Sequence, residues 1–282
     1  MMAELINRRA LKAQTRETLR DAQVSPKAIT ALYLALVLLM NLVDSFTGSG
    51  VRSSFVSILI TLLGMVLEAG FVLYCMAVRR GERAEFLTLF DGFSFAGKVI
   101  GLCLLKYIFI FLWSLLFTIP GIVAIYRYRF ALYNLYEDPE LSVFEALDMS
   151  KRQTRGYKGQ LFALDLSYLG WGVLASLPSL VYSIALYQLM IRDAMAAYGF
   201  AGAGAMAVDT AASIVYLLPG WGWTLVMGLW YLAVAIFYLP VYQCVELGYF
   251  ETAKSTSGVG QGAAPNQTGS WTQCGPDNLG GF

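Results

Sequence analysis

The sequence contains no histidine, which removes the commonest general base and metal ligand. Charge is scarce as well: 20 Lys+Arg and 19 Asp+Glu make up 14% of 282 residues, where soluble domains carry about 25%. The formal net charge of +1 leaves no concentrated basic face of the kind phosphate backbones require, so nucleic acid is not expected as a partner. Cysteine is sparse: Cys75, Cys103 and Cys244 lie in apolar stretches, Cys274 in a polar one, and no CxxC occurs. Neither a disulfide framework nor a zinc site is expected, and the thiols read as small hydrophobes. There is no GxSxG elbow and no HExxH, and without histidine no Ser-His-Asp triad. Gly258, Gly260 and Gly262 look like a Gly-rich loop but follow no strand, so they are not expected to cradle phosphate. No catalytic residue, cofactor or metal site is expected.

What is present is apolar. The chain is 57% hydrophobic and 14% aromatic, with a mean hydropathy of +0.59, more than one core of this size can hide. The expected fold is all-α: a polytopic transmembrane helical bundle of about six crossings, with amphipathic surface helices on the cytoplasmic side. Residues 1–27 form a basic cytoplasmic helix with Arg8, Arg9, Lys12, Arg16, Arg20 and Lys27. Spans are expected near 28–46, 55–78, 99–118, 121–136, 161–191 and 221–249 within a membrane domain 28–251, followed by a disordered tail 252–282 rich in Gly, Ser, Thr, Gln and Asn. A signal peptide would have a shorter basic region and a small-residue cleavage site. The tail carries a weak glycosylation sequon, Asn266-Gln267-Thr268.

Several details refine this outline. Phe86, Leu89, Phe90 and Phe93 recur at helical spacing, which predicts one apolar face lying along the membrane surface or packed on the bundle. Asp138 as N-cap, Pro139 at the first position, early Glu140 and Glu145 and late Lys151, Arg152 and Arg155 predict a surface helix over 138–155. Over residues 161–191, Pro178 is expected to kink the span or leave its end in water. Residues 192–206 read as a Gly/Ala-rich loop, and 208–218, too short to cross, as a re-entrant or interfacial piece. Gly97 and Gly101 read as a helix-packing pair. The segment 121–136 is marginal, at about 24 Å. If it crosses, fifteen basic residues lie inside and two outside, which the positive-inside rule favours. That assignment puts both termini in the cytoplasm.

A series of stretches carries a resemblance: Arg80-Gly81-Glu82 with Phe86, Leu89-Phe90 and Gly92-Phe93; FLWSLLFTIPGI at 111–122; Glu145-Ala146 with Ser150; LDLSYLGW at 164–171; and Pro240-Val241-Tyr242 with Tyr249-Phe250. Over residues 1–252 the chain resembles the bacterial integral membrane family known as domain of unknown function 975. A weaker similarity is to the membrane domain of some glycerophosphodiester phosphodiesterases. The family resemblance implies a multi-pass plasma-membrane protein and brings no established activity or catalytic residues. The stretch between Trp171 and Trp221 is longer than the family pattern.

Glu68, Lys106, Arg127, Arg129, Asp165 and Glu246 fall within the spans. Such groups are costly in a bilayer unless paired or wetted, so they form a candidate intramembrane polar cluster. They can serve as packing ion pairs, with Lys106, Asp165 and Glu246 snorkelling to the interface, or line a polar cavity for an anionic amphiphile. Arg127 and Arg129 are expected to meet an acid, with Glu68 the favoured partner. The expected role is a non-enzymatic transport, lipid-handling or scaffold component, with membrane lipid or other membrane proteins as partners. The alternative is an intramembrane enzyme acting on lipid phosphodiesters.

Overall fold

The computed structural model describes residues 5–22, 24–47, 51–197 and 213–260. The expectations for most of 192–218, the sequon, Gly262, Cys274 and the tail beyond 260 lie outside them. The helices are α1 (Arg8–Arg20), α2 (Pro26–Phe46), α3 (Val51–Arg80), α4 (Ala96–Leu116), α5 (Thr118–Arg127), α6 (Ala131–Glu137), α7 (Val143–Gln153), α8 (Lys158–Ala197) and α9 (Gly220–Ser257), with a 3-10 segment at Phe86–Phe95. Among the described residues there is no strand. Among the described residues five helical segments are long and apolar enough to cross a membrane: Pro26–Phe46, Ser54–Arg80, Phe86–Leu116, Lys158–Met195 and Gly220–Ser257.

The 40 residues of α8 and 38 of α9 reach about 60 and 57 Å, nearly twice the roughly 30 Å hydrocarbon thickness. The bundle accordingly has two zones. Towards one end large apolar side chains are exposed, among them Phe46, Phe55, Leu115, Ile119 and Leu180, as lipid-facing residues must be. Towards the other end the same helices close into a packed core around Tyr74, Phe130, Leu135, Leu161, Leu247 and Phe250. Charged side chains fasten this second end. Glu137 bridges Arg80 at 2.8 Å and Lys254 at 2.5 Å, and Arg79 grips Glu251. Lys98 donates to the Pro139 carbonyl. These contacts place the end of α3, the start of α4, the end of α6 and the end of α9 side by side.

The same contacts show how the chain returns after α4. Residues 121–136 are not one span: α5 folds back along α4 from the break at Phe117, a turn interrupts it at Tyr128–Phe130, and α6 completes the return to the charged end. The turn leaves helix backbone groups without intrahelical partners, and α7 supplies them. The Ser150 hydroxyl accepts from the Phe130 N–H at 3.1 Å and donates to the Arg127 carbonyl at 2.9 Å. Asn134 and Gln153 exchange reciprocal amide bonds at 2.9 and 2.8 Å.

Three further expectations change. The surface helix 138–155 begins later: its N-cap is Ser142, reciprocally bonded to Glu145, and Asp138 caps only a preceding turn. Hydrogen bonds from the Ser142 hydroxyl and backbone hold the Glu145 carboxyl below its ordinary pKa. Phe144 is exposed while Ala146, Leu147, Ser150 and Gln153 are buried, so α7 is a surface helix on one side and a plug on the other. The segment 86–95 is a 3-10 run whose three-residue period divides its apolar positions: Leu89 and Gly92 face α3, while Leu87, Phe90 and Phe93 form an exposed row. Finally, α9 continues to Ser257 with Ala253 buried, and Gly258, at φ +65°, ends it. The expected boundary at 251 falls six residues early.

Pro178 does not end α8. Proline removes the bond to the carbonyl four residues back, here Leu174, and the Trp230 indole of α9 donates to that carbonyl at 2.9 Å. The proline thereby becomes a link between α8 and α9.

The 3-10 segment lies against α3 at two glycines. A Cβ at Gly70 would collide with the Leu89 carbonyl, and one at Gly92 would come within 2.6 Å of the Val66 carbonyl. Gly70→Ala should therefore lower thermal stability in detergent, by about 1–3 kcal/mol or more, although alanine favours the helix by about 1 kcal/mol. Gly64→Ala on the same helix, with nothing within 4 Å, should be neutral or stabilising in the same melt.

Candidate functional site

Arg129 sits at the turn between α5 and α6 and reaches two carboxylates from different helices. Its Nε and Nη2 donate to Glu246 of α9 at 2.7 and 3.0 Å. Its Nη1 and Nη2 donate to Asp165 of α8 at 2.7 and 2.9 Å, and Nη2 also donates to the Tyr242 hydroxyl. The hydroxyls of Tyr126 and Tyr242 donate to Asp165 at 2.9 and 2.8 Å. Each Asp165 oxygen thus accepts two hydrogen bonds, which fills its lone-pair capacity. The helix break makes this possible, because an arginine within a continuous helix would not point from the axis into the gap between α8 and α9. One cation and two anions give the cluster a formal charge of −1.

Depth follows from length. Trp221, near the start of α9, marks one interface, and Glu246 lies 26 residues beyond Gly220, about 39 Å along the helix. That exceeds the roughly 30 Å of hydrocarbon, so a crossing that begins at Trp221 ends before it reaches the cluster.

The other charged candidates are elsewhere. Glu68 lies within electrostatic reach of Lys106 and of Glu246 but forms no ion pair among the described residues; it is not the partner of either arginine. Arg127 turns outward, its guanidinium 6.0 Å from the Tyr128 ring, near the like charge of Lys158. The turn at Tyr128–Phe130 separates it from Arg129. Ser150 and Tyr242, which complete the site with Tyr126, stood in the stretches that carry the family resemblance, but nothing in the sequence tied them to the charged residues. Among the described residues no group of three or more His, Cys, Asp or Glu could hold a metal ion.

Beside the cluster a cleft opens. Its inner part, about 260 Å³, is lined by Asp165, Tyr168, Gly172, Tyr238 and Tyr242. Through Gly172 and Tyr238 it adjoins an outer part of about 490 Å³ between α2, α8 and α9. Both α2 and α8 pack on α9 and hardly on each other, so α9 is the floor and the gap between α2 and α8 is the mouth. Polar names on the walls are misleading. Asn41, Ser176, Ser179 and Thr224 bond to carbonyls of their own helices, Val37, Val173, Ser176 and Gly220. The outer cleft therefore presents an apolar lining.

Removing Arg129 strands two carboxylates, of which Glu246 is 6% exposed. Arg129→Gln should cost about 3–5 kcal/mol in denaturant unfolding of the purified protein. Glu68→Gln, which breaks no ion pair, should stay within about 0.5 kcal/mol.

No curated protein and no solved structure matches the chain, and the similarity to glycerophosphodiester phosphodiesterase membrane domains is not shown. One family profile matches residues 1–134 and again 119–256, which embraces every element that builds the cluster and the cleft. The chain belongs to the family described as Protein of unknown function (DUF975).

Proposed function

We propose that this protein is a non-enzymatic, lipid-handling component of the bacterial plasma membrane, which takes a lipid acyl chain into the cleft between α2, α8 and α9. The observation that carries this reading is the outer cleft itself: about 490 Å³, walled mostly by apolar side chains, with the Asn41, Ser176, Ser179 and Thr224 donors turned to their own helices, and open between two helices towards lipid. An acyl chain satisfies such a lining without leaving a polar group unpaired. From Asp165 to Ser179 the cleft follows 14 residues of α8, about 21 Å. That is enough to cross one leaflet, roughly half of the 30 Å core. The saturated hydrogen bonding of Asp165 favours a structural use of the cluster over acid–base chemistry.

Gly172 offers a direct test, because a Cβ there meets nothing within 4 Å. Gly172→Trp should fold normally and fill the cleft. Lipid copurifying from native membranes and quantified by mass spectrometry should fall several-fold relative to the parent. Equal lipid content at equal stability would overturn the reading.

We also infer that the charged end faces the cytoplasm, since the basic residues gather there. In a Cys274→Ser background, Ser255→Cys should react with a membrane-impermeant thiol reagent only after lysis, and Thr47→Cys in intact cells. The reverse pattern would invert the orientation.

A further inference from the structure

The cations of the charged end are not used alike. Arg79, Arg80, Lys151, Arg152 and Lys254 each face a carboxylate. Arg8, Lys12 and Arg16 of α1 form no ion pair among the described residues. Spaced four apart, they share one helical face, and that face is laid on the start of α8. Arg8 Nη1 donates to the Ala163 carbonyl at 2.8 Å. Lys12 Nζ donates to Ser167 Oγ at 3.0 Å and lies 4.1 Å from the centre of the Tyr168 ring. Arg16 is close enough to act electrostatically on the Tyr168 hydroxyl. Tyr168 is itself a wall of the inner cleft. Lys12 therefore stands against a wall of the inner cleft, with Arg8 and Arg16 one turn to either side on α1, and none of the three is paired with a carboxylate among the described residues.

We propose that the occupant of the cleft is an anionic phospholipid whose phosphate is held by Lys12 and Arg16. This rests on the acyl-chain reading of the cleft and adds the headgroup to it. Charge complementarity sets the choice. A phosphodiester brought to this stripe neutralises cations that otherwise repel one another. Partial burial, together with the charges of Arg8 and Arg16, already lowers the Lys12 pKa from its ordinary value. Lysine and arginine donate only, so a phosphate oxygen supplies the acceptors that their free N–H groups lack. The depth is bounded from the other side. The cluster of Arg129, Asp165 and Glu246 carries a net negative charge and offers no unused Asp165 lone pair, so it repels a phosphate that moves inward. The headgroup stops at Lys12, the tyrosines Tyr168, Tyr238 and Tyr242 flank the glycerol region, and the chain continues into the apolar cleft. A lipid with an additional positive headgroup charge loses this advantage, since its ammonium group offsets its phosphate.

The test uses the full chain in neutral detergent with acyl-labelled, short-chain phosphatidylglycerol and phosphatidylcholine as probes, and glycerol phosphate as a competitor without acyl chains. Phosphatidylglycerol should bind at least about tenfold more tightly than phosphatidylcholine, because each basic residue near an anionic group contributes about a fivefold factor. Lys12→Gln with Arg16→Gln should lower phosphatidylglycerol affinity about tenfold or more, to the level of phosphatidylcholine, whose own binding should fall by less. Glutamine at 12 keeps a donor for Ser167, and Arg8 is left in place to hold α1 on α8. If the double variant keeps the preference while Gly172→Trp abolishes binding of both lipids, the headgroup assignment is wrong and the acyl cleft stands. If Gly172→Trp leaves both lipids bound, the cleft reading fails and this proposal with it. If glycerol phosphate displaces the phosphatidylglycerol probe as well as unlabelled phosphatidylglycerol does, the stripe is a free-phosphate site and the lipid assignment is overturned.

Discussion

The structure turns on Arg129. Its guanidinium joins the interrupted return of α5 and α6 to both long helices, α8 through Asp165 and α9 through Glu246. A buried charge with two carboxylate partners and a tyrosine hydroxyl is satisfied only if all three helices hold their relative positions, so the cluster fixes a geometry as much as it stabilises one. Arg129 leaves the chain at the break between Arg127 and Ala131, where the Arg127 carbonyl and the Phe130 amide lack intrahelical partners and are taken up by Ser150 of α7.

The larger features of the fold were legible because lipid imposes simple demands. Segments 28–46, 55–78 and 221–249, picked out by apolar length, lie within helices of the structure, while 99–118 runs past the end of α4 at Leu116 and across the break at Phe117 to the start of α5. The charge asymmetry required the segment after Pro120 to turn back, and it does. What composition did not carry was the state of that segment as two short helices, since a single arginine reads the same whether it interrupts a span or faces a neighbour. The helix boundaries at 142 and 257 were misplaced for a local reason: Asp138-Pro139 and the polar run after Thr252 imitate a cap and a tail. The side chains that decide the matter, Glu145 for Ser142 and Glu137 for Lys254, act across the fold or between competing local signals. Six ionisable positions were visible as a set. Which of them meet depends on helix rotation and tilt, which hydropathy does not specify, so Glu68 was favoured where Asp165 and Glu246 are the partners.

The cleft, and the contacts that the basic helix makes with α8, were not legible for a related reason. The outer cleft is made by what is missing: Gly172 has no side chain to fill it, and α2 and α8 lean on α9 rather than on one another. Four of its polar side chains, Asn41, Ser176, Ser179 and Thr224, read as polar in sequence yet donate to their own helices. The residues of α1 were counted as an orientation signal. The fold brings Lys12 against Ser167 and Tyr168 and Arg8 against the Ala163 carbonyl, the contacts on which the proposed headgroup site rests.

The Leu174 carbonyl that Pro178 frees is bonded by Trp230, and this has a mechanical consequence for the mouth of the cleft. The link opposes sliding of α8 along α9, so the floor and one wall move as a unit, while in the proposed function the mouth faces sideways into the leaflet. A molecule reaching it diffuses in two dimensions and never crosses water. Occupancy is then governed by the mole fraction of that molecule in the surrounding leaflet rather than by any aqueous concentration. Contacts too weak to extract a lipid from a bilayer are sufficient to sort among those already beside the protein.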